Sequence, residues 1–234
     1  MRDPVVRDLI EFHRSRLSDV VTQENQAHAP NLDDLAVKLG YRIAYGKTSF
    51  LTPPRLITLA RGLPRRVRRV ELAHELSHGL AMEKDDADPD AASYEEVIRY
   101  LHASVPDMDE HLELLATAGG DELAMPAALV QAVLNRCGWN AQAVWEVARF
   151  SGVPLADALR RVVQFDESRR IAGVITKGGY INVAETQRYR LPVWKGERMP
   201  EPHITLGEGV SVFPLPHRPS HRIVLLTVGQ WEAA

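Results

Sequence analysis

Residues 69–78 read R-V-E-L-A-H-E-L-S-H, and the H-E-x-x-H within them constrains this 234-residue chain more than any other feature. On an α-helix, positions i and i+4 lie one above the other on one face. His74 and His78 can therefore grip one metal ion while Glu75, one step round, reaches a water beside it. Gly62 closes the preceding segment, Pro64 suits a first turn, and Val67, Val70, Ala73, Leu76 and Leu80 keep a helical period, so the motif falls in mid-helix. A catalytic zinc ion takes three protein ligands and keeps one position open, so the two imidazoles need a third donor from elsewhere in the chain.

Composition narrows the setting. A net charge of -3 and 45% apolar residues describe an ordinary globular protein with no global signature of nucleic-acid or membrane binding. No run of apolar residues is long enough to span a bilayer. The single cysteine, Cys137, excludes an internal disulfide framework, and the first residues, M-R-D-P-V-V-R-D, lack the apolar core of a secretory signal. A cytoplasmic protein is expected.

Ahead of the motif, residues 4–25 carry a loose helical rhythm. A short helix follows, with Asn31 as N-cap, Asp33 and Asp34 in its first turn and Gly40 at its end. Tyr41–Tyr45 and Leu56–Ala60 read as two short strands. Arg61, Arg65, Arg66, Arg68 and Arg69 crowd the start of the motif helix, where the dipole disfavours cations. Either a phosphate backbone or acidic partner compensates them, or they pair within the chain with the acids at 83–90, and internal pairing is the expectation. Past the motif, Ser93–Val105 is expected to be a helix opened by a Ser93/Glu96 capping box. A further helix begins near Asp107, with Gly119-Gly120 expected to weaken or bend it.

After Met125-Pro126 come three expected helices, Ala127–Arg136, Asn140–Phe150 and Pro154–Gln164. The turn at Gly152 gives the last two a helix-turn-helix look, with Arg160 and Arg161 as the residues a DNA-reading helix would expose. From Ile171 the pattern turns to strand, at 171–176, 180–184, 189–194, from Ile204 onwards, 210–213 and 223–228, interrupted by prolines. His13, His28, His203, His217 and His221 lack ligand spacing and read as ordinary residues.

Donors able to complete a site with His74 and His78 are Glu95, Glu96, His102, Glu110, His111, Glu113 and Glu122. Glu96 is already explained by the capping box, and Glu95 remains a rival. Glu113 has the better surroundings, because its helix face continues through Ala116, Thr117 and Gly120, all small, and so permits close approach to the motif helix. Glu122 falls on the opposite side.

With these residues in view, the chain resembles the ImmA/IrrE metallopeptidases. Members typically show a strand pair, then a segment like R-F-T-L-A-H-E-L-G-H, then E-x-x-A-N-x-F-A-x-x-L-L-M-P. Here 69–78 matches the first segment, and E-L-L-A-T-A-G-G-D-E-L-A-M-P at 113–126 brings Glu113, Ala116, Leu123, Met125 and Pro126 into register with the second. The likeness covers about residues 30–165. Thr117, Gly119 and Gly120 depart from the usual Asn, Phe and Ala, and the segment between His78 and Glu113 is longer than expected.

An α+β protein is expected: the resemblance implies a mainly helical zincin-like peptidase domain at 1–126 with a small strand pair and a helical, helix-turn-helix-like subdomain at 127–168, and the strand pattern adds a small β-rich module at 169–234. It implies His74, His78 and Glu113 as metal ligands, Glu75 as general base, and zinc, or alternatively manganese, as the cofactor. It further implies a protein substrate, a helix-turn-helix repressor whose cleavage releases stress or mobile-element genes. The alternative is a catalytically silent zincin-fold regulator acting through DNA or a partner. His102 or His111 as stabiliser of a developing oxyanion is the lesser reading beside an ordinary helical histidine.

Overall fold

The computed structural model describes residues 4–22, 29–53, 55–82, 107–199, 201–206 and 209–228. The chain is α+β and divides into two compact units, Met1–Pro126 and Ala127–Ala234. The expected helix at 93–105 and the acids at 83–90 lie outside the described residues. No described helix is long and apolar enough to cross a membrane.

The first unit opens with α1 (Pro4–Thr22) and α2 (Leu32–Lys38). Asn31 starts α2 because its side-chain oxygen accepts the Asp33 N–H at 3.2 Å, and Gly40, at φ +78°, lets the chain turn away after the helix. Leu32, Leu35 and Ala36 are its buried face. Three strands follow, β1 (Arg42–Gly46), β2 (Phe50–Thr52) and β3 (Leu56–Ala60), in the order β1-β3-β2. The sequence suggested two strands. Phe50–Thr52 adds an antiparallel edge strand too short to show alternation, while β1 and β3 run parallel. The central strand buries Ile57 and Leu59 completely.

The motif lies on α3 (Arg65–Met82), which packs antiparallel to α4 (Met108–Ala124): Arg69 meets the Ala124 carbonyl at one end and His78 meets Glu113 at the other. Gly119 and Gly120, expected to weaken or bend α4, lie within its continuous span. Glycine in a helix interior costs about 1 kcal/mol relative to alanine. Both glycines are buried, and neighbouring atoms occupy the space their Cβ atoms would need, so packing offsets that cost.

In the second unit α5 (Ala127–Cys137), α6 (Ala141–Ser151) and α7 (Leu155–Val163) precede β4 (Arg170–Lys177), β5 (Tyr180–Gln187), a short α8 (Pro202–Leu206), β6 (Val210–Leu215) and β7 (Arg218–Val228). The strands form an antiparallel sheet in the order β5-β4-β7-β6. The sequence reading separated a helical subdomain from a β module at residue 169, yet both belong to one unit. The reason lies in β4, whose residues from Ile171 to Thr176 are all buried. One face meets α7, where a Cβ on Gly173 would sit 2.5 Å from Leu159 Cδ1. On the other, Ala172 and Val174 cluster with Ile181, Leu191, Met199 and Val224.

Two further expectations change. Residues 189–194 form no strand; Tyr189, Leu191 and Val193 pack against the sheet cluster from an irregular segment, with Pro192 among them unable to donate to a ladder. Ile204 belongs to α8. Nor does α7 present a DNA-reading face. Arg161 is 5% exposed with its guanidinium 5.6 Å from the Phe165 ring centre, and Arg160 pairs with Asp157 at 3.1 Å. Packing α7 on the sheet consumes the surface that a recognition helix keeps free.

Candidate metal centre

His74 and His78 sit one turn apart on α3, half-buried, with their Nε2 atoms 3.1 Å apart. From α4, Glu113 brings Oε2 to 3.2 Å from His74 Nε2 and Oε1 to 3.5 Å from His78 Nε2. One ligand atom from each of the three lies within 4.8 Å of the others. Donors held at about 2.0–2.2 Å by one tetrahedral zinc ion stand about 3.3 Å from each other, so the residues present fit such an ion in both spacing and chemistry. The Glu113 side chain is 66% exposed, which leaves one side of the cluster open to solvent.

The α4 backbone makes this convergence possible. A Cβ on Gly120 would lie 3.0 Å from His74 N and Cα, so the helices touch backbone to backbone beside the first ligand. A Cβ on Gly119 would lie 2.3 Å from Ser77 Oγ and 2.7 Å from His13 Nε2. The vacated space holds a buried hydrogen bond between His13 and Ser77 at 2.9 Å, joining α1 to the residue before His78. His13 is 1% exposed, and burial, with Arg16 and His78 nearby, pushes its pKa down to about 4.

Glu75, 6% exposed, has its carboxyl pushed up to about 7, chiefly by burial and further by Glu71 and Glu113, against a hydrogen bond from the Leu51 backbone. That bond brings the edge strand β2 beside the motif. Burial and the neighbouring His74 hold His78 below the usual histidine range, with Glu113 pulling the other way.

Of the other third-ligand candidates, Glu95, Glu96 and His102 lie outside the described residues. Glu110 is exposed and Glu122 is 4% exposed, and neither joins the cluster. His111 Nδ1 is buried without a hydrogen-bond partner among the described residues. Sequence reasoning missed three contributors. Glu71 stood one turn before Glu75, where the i, i+4 spacing was a usable signal. The roles of Leu51 and of the His13–Ser77 pair arise from packing between distant segments and left no local trace. Of the arginines leading into α3, Arg68 is compensated by Asp33 of α2 with two hydrogen bonds, a partner not foreseen, and it holds the Asp33 carboxyl below its usual range. Desolvation lowers Arg69 to about 10.

The fold and site together define an α+β chain with a three-donor cluster. No family model matches it, and neither does any curated protein. Among solved structures it is similar to a Mycobacterium tuberculosis transcriptional regulator, with 13% identity over 94% of this chain and 78% of that one and a TM-score of 0.53. At that identity the likeness concerns the fold alone.

Proposed function

We propose that the chain is a metal-dependent endopeptidase of the ImmA/IrrE type, zincin-like in its first unit, which cuts a helix-turn-helix repressor in the cytoplasm and so derepresses stress or mobile-element genes. The observation that carries this reading is the convergence of His74, His78 and Glu113 beside a buried Glu75. Two imidazoles and a carboxylate suit zinc, with manganese the second candidate. Such an ion supplies Lewis acidity toward a carbonyl and acidifies water.

The remaining chemistry belongs to the chain. The Glu75 carboxylate takes a proton from the attacking water and hands it to the amine nitrogen of the leaving peptide. Burial raises its pKa, which suits the return step, and an ion held by His74, His78 and Glu113 would favour the base form needed for the first. Because β2 is an edge strand whose Leu51 backbone reaches Glu75, an extended substrate segment can pair alongside it. The repressor as substrate follows from the sequence resemblance.

The alternative is a catalytically silent zincin-fold regulator acting through DNA or a partner; the burial of Arg161 and the pairing of Arg160 with Asp157 do not favour DNA reading by α7. The name of the structural neighbour is compatible with this alternative. Loaded with zinc or manganese, the purified protein should cleave its cognate repressor, and Glu75→Gln should retain metal and lose cleavage. A Glu75→Gln protein that cleaves as fast as the wild type overturns the proposal.

A further inference from the structure

From Leu35 to Val70 the chain has nine Lys and Arg residues and no Asp or Glu. The fold gathers several of them at one end of the three-stranded sheet. Gly46 of β1 pairs with Ala60 of β3, which sets Lys47 and Arg61 side by side as the strands end. The Arg61 backbone N–H donates to the Gly46 carbonyl at 3.0 Å and its Nε to the Tyr45 carbonyl at 3.3 Å. Arg68 reaches the same place from α3, donating to the Tyr45 hydroxyl at 3.0 Å with its guanidinium 5.8 Å from the ring centre. Arg65, one turn earlier, shares the helix face of Arg68.

Lys47, Arg61 and Arg65 are exposed, and Tyr45 is 50% exposed. Among the described residues Asp33 is the acid bound at this cluster, and both its oxygens are engaged by Arg68. Cations in the first turn of α3 oppose the helix dipole and cost stability by themselves, so an external anion is favoured there. The charged groups of this patch are guanidinium forks and a lysine, with the Arg68 guanidinium beside the Tyr45 ring. That chemistry matches phosphate oxygens, which Arg binds in bidentate fashion.

We infer that this end of the sheet binds the phosphodiester backbone of double-stranded DNA, without reading its bases. This binding does not depend on peptidase activity.

The test is fluorescence anisotropy of the full chain with a labelled duplex of about 20 base pairs, titrated between about 50 and 200 mM salt. The expected result is saturable binding at low salt, with log affinity falling against log salt at a slope of about -3, as for three to four neutralised phosphates. The triple variant Lys47→Gln/Arg61→Gln/Arg65→Gln, folded by circular dichroism, should lose at least about tenfold in affinity and flatten the slope. Arg160→Gln should change neither. Absence of binding at low salt, or binding that the triple variant leaves intact, overturns the inference. Binding of poly-glutamate but not of the duplex also overturns it, in favour of an acidic protein partner.

Discussion

Gly120 stands so close to His74 that a methyl group at Gly120 would lie 3.0 Å from both the N and the Cα of the histidine. The position of Glu113 relative to the two imidazoles depends on this approach, because all of α4 would move with it. Gly120→Val therefore forces the helices apart. Overpacking of this kind costs about 1–3 kcal/mol, to be read by chemical denaturation. Competition with a chromophoric chelator should show zinc affinity falling at least about tenfold, as when outer supports of a metal site are lost. Unchanged affinity would mean that the close contact does not position the third ligand.

Glu113→Ala should abolish tight zinc binding while leaving the metal-free fold nearly intact, since the Glu113 side chain is 66% exposed. Surface substitutions of this kind usually change stability by less than about 0.5 kcal/mol. Glu95→Ala is the matching control and should leave affinity unchanged. The opposite pattern would transfer the third-ligand role to Glu95.

His13 gives the metal-free protein an acid-sensitive stability. Its folded pKa of about 4 lies below the unfolded value of 6.5, so the buried neutral ring contributes fully above the unfolded value. As pH falls from 6.5 toward 4, the unfolded chain takes up the proton first and stability declines. The loss amounts to roughly 3 kcal/mol. Urea denaturation across this range should show the decline, and His13→Gln, which can still bond Ser77, should flatten it. A decline of equal size in the variant would assign the effect to other groups.

Asp33→Asn tests the ion pair with Arg68, in which the Asp33 side chain is 46% exposed and the Arg68 side chain 25%. At that exposure the loss should be at most about 1 kcal/mol. Arg68 holds the Asp33 carboxyl below its ordinary value, so the contribution is present at neutral pH and disappears as pH falls through the lowered pKa. A double-mutant cycle with Arg68→Gln reads the coupling directly, and a value near zero at neutral pH would exclude a role for the pair.

In the second unit, Gly173→Ala places a methyl group 2.5 Å from Leu159 Cδ1 and 3.0 Å from Leu225 Cδ1. The expected cost is about 1–3 kcal/mol from displacing α7 on the sheet. A neutral substitution would mean that α7 packs there only loosely.

Where structure is local, the residues announce it. Asn31 capping α2, Asn140 capping α6 and Gly152 at φ +69° ending it all follow from backbone chemistry within a few positions. Expectations failed where distant packing overrode local preference. The Gly119-Gly120 pair, expected to weaken or bend its helix, lies inside a continuous one whose close contact with α3 fills the space beside it. The apolar alternation of 189–194 looked like a strand but packs from an irregular segment. Arg161 looked like a solvent-facing cation but is buried within α7, its charge over Phe165.

For the site itself, the sequence alone determined that His74, Glu75 and His78 would share one helix with the two imidazoles a turn apart, because helical geometry is set by neighbours along the chain. Among several candidate donors it favoured Glu113, for the small face of its helix, with Glu95 as the rival. Only the tertiary structure brought Glu113 onto the imidazoles, the Leu51 backbone onto Glu75, and His13 onto Ser77. Each of those contacts joins segments far apart in sequence, and its distance depends on how closely two elements pack, which no local pattern encodes.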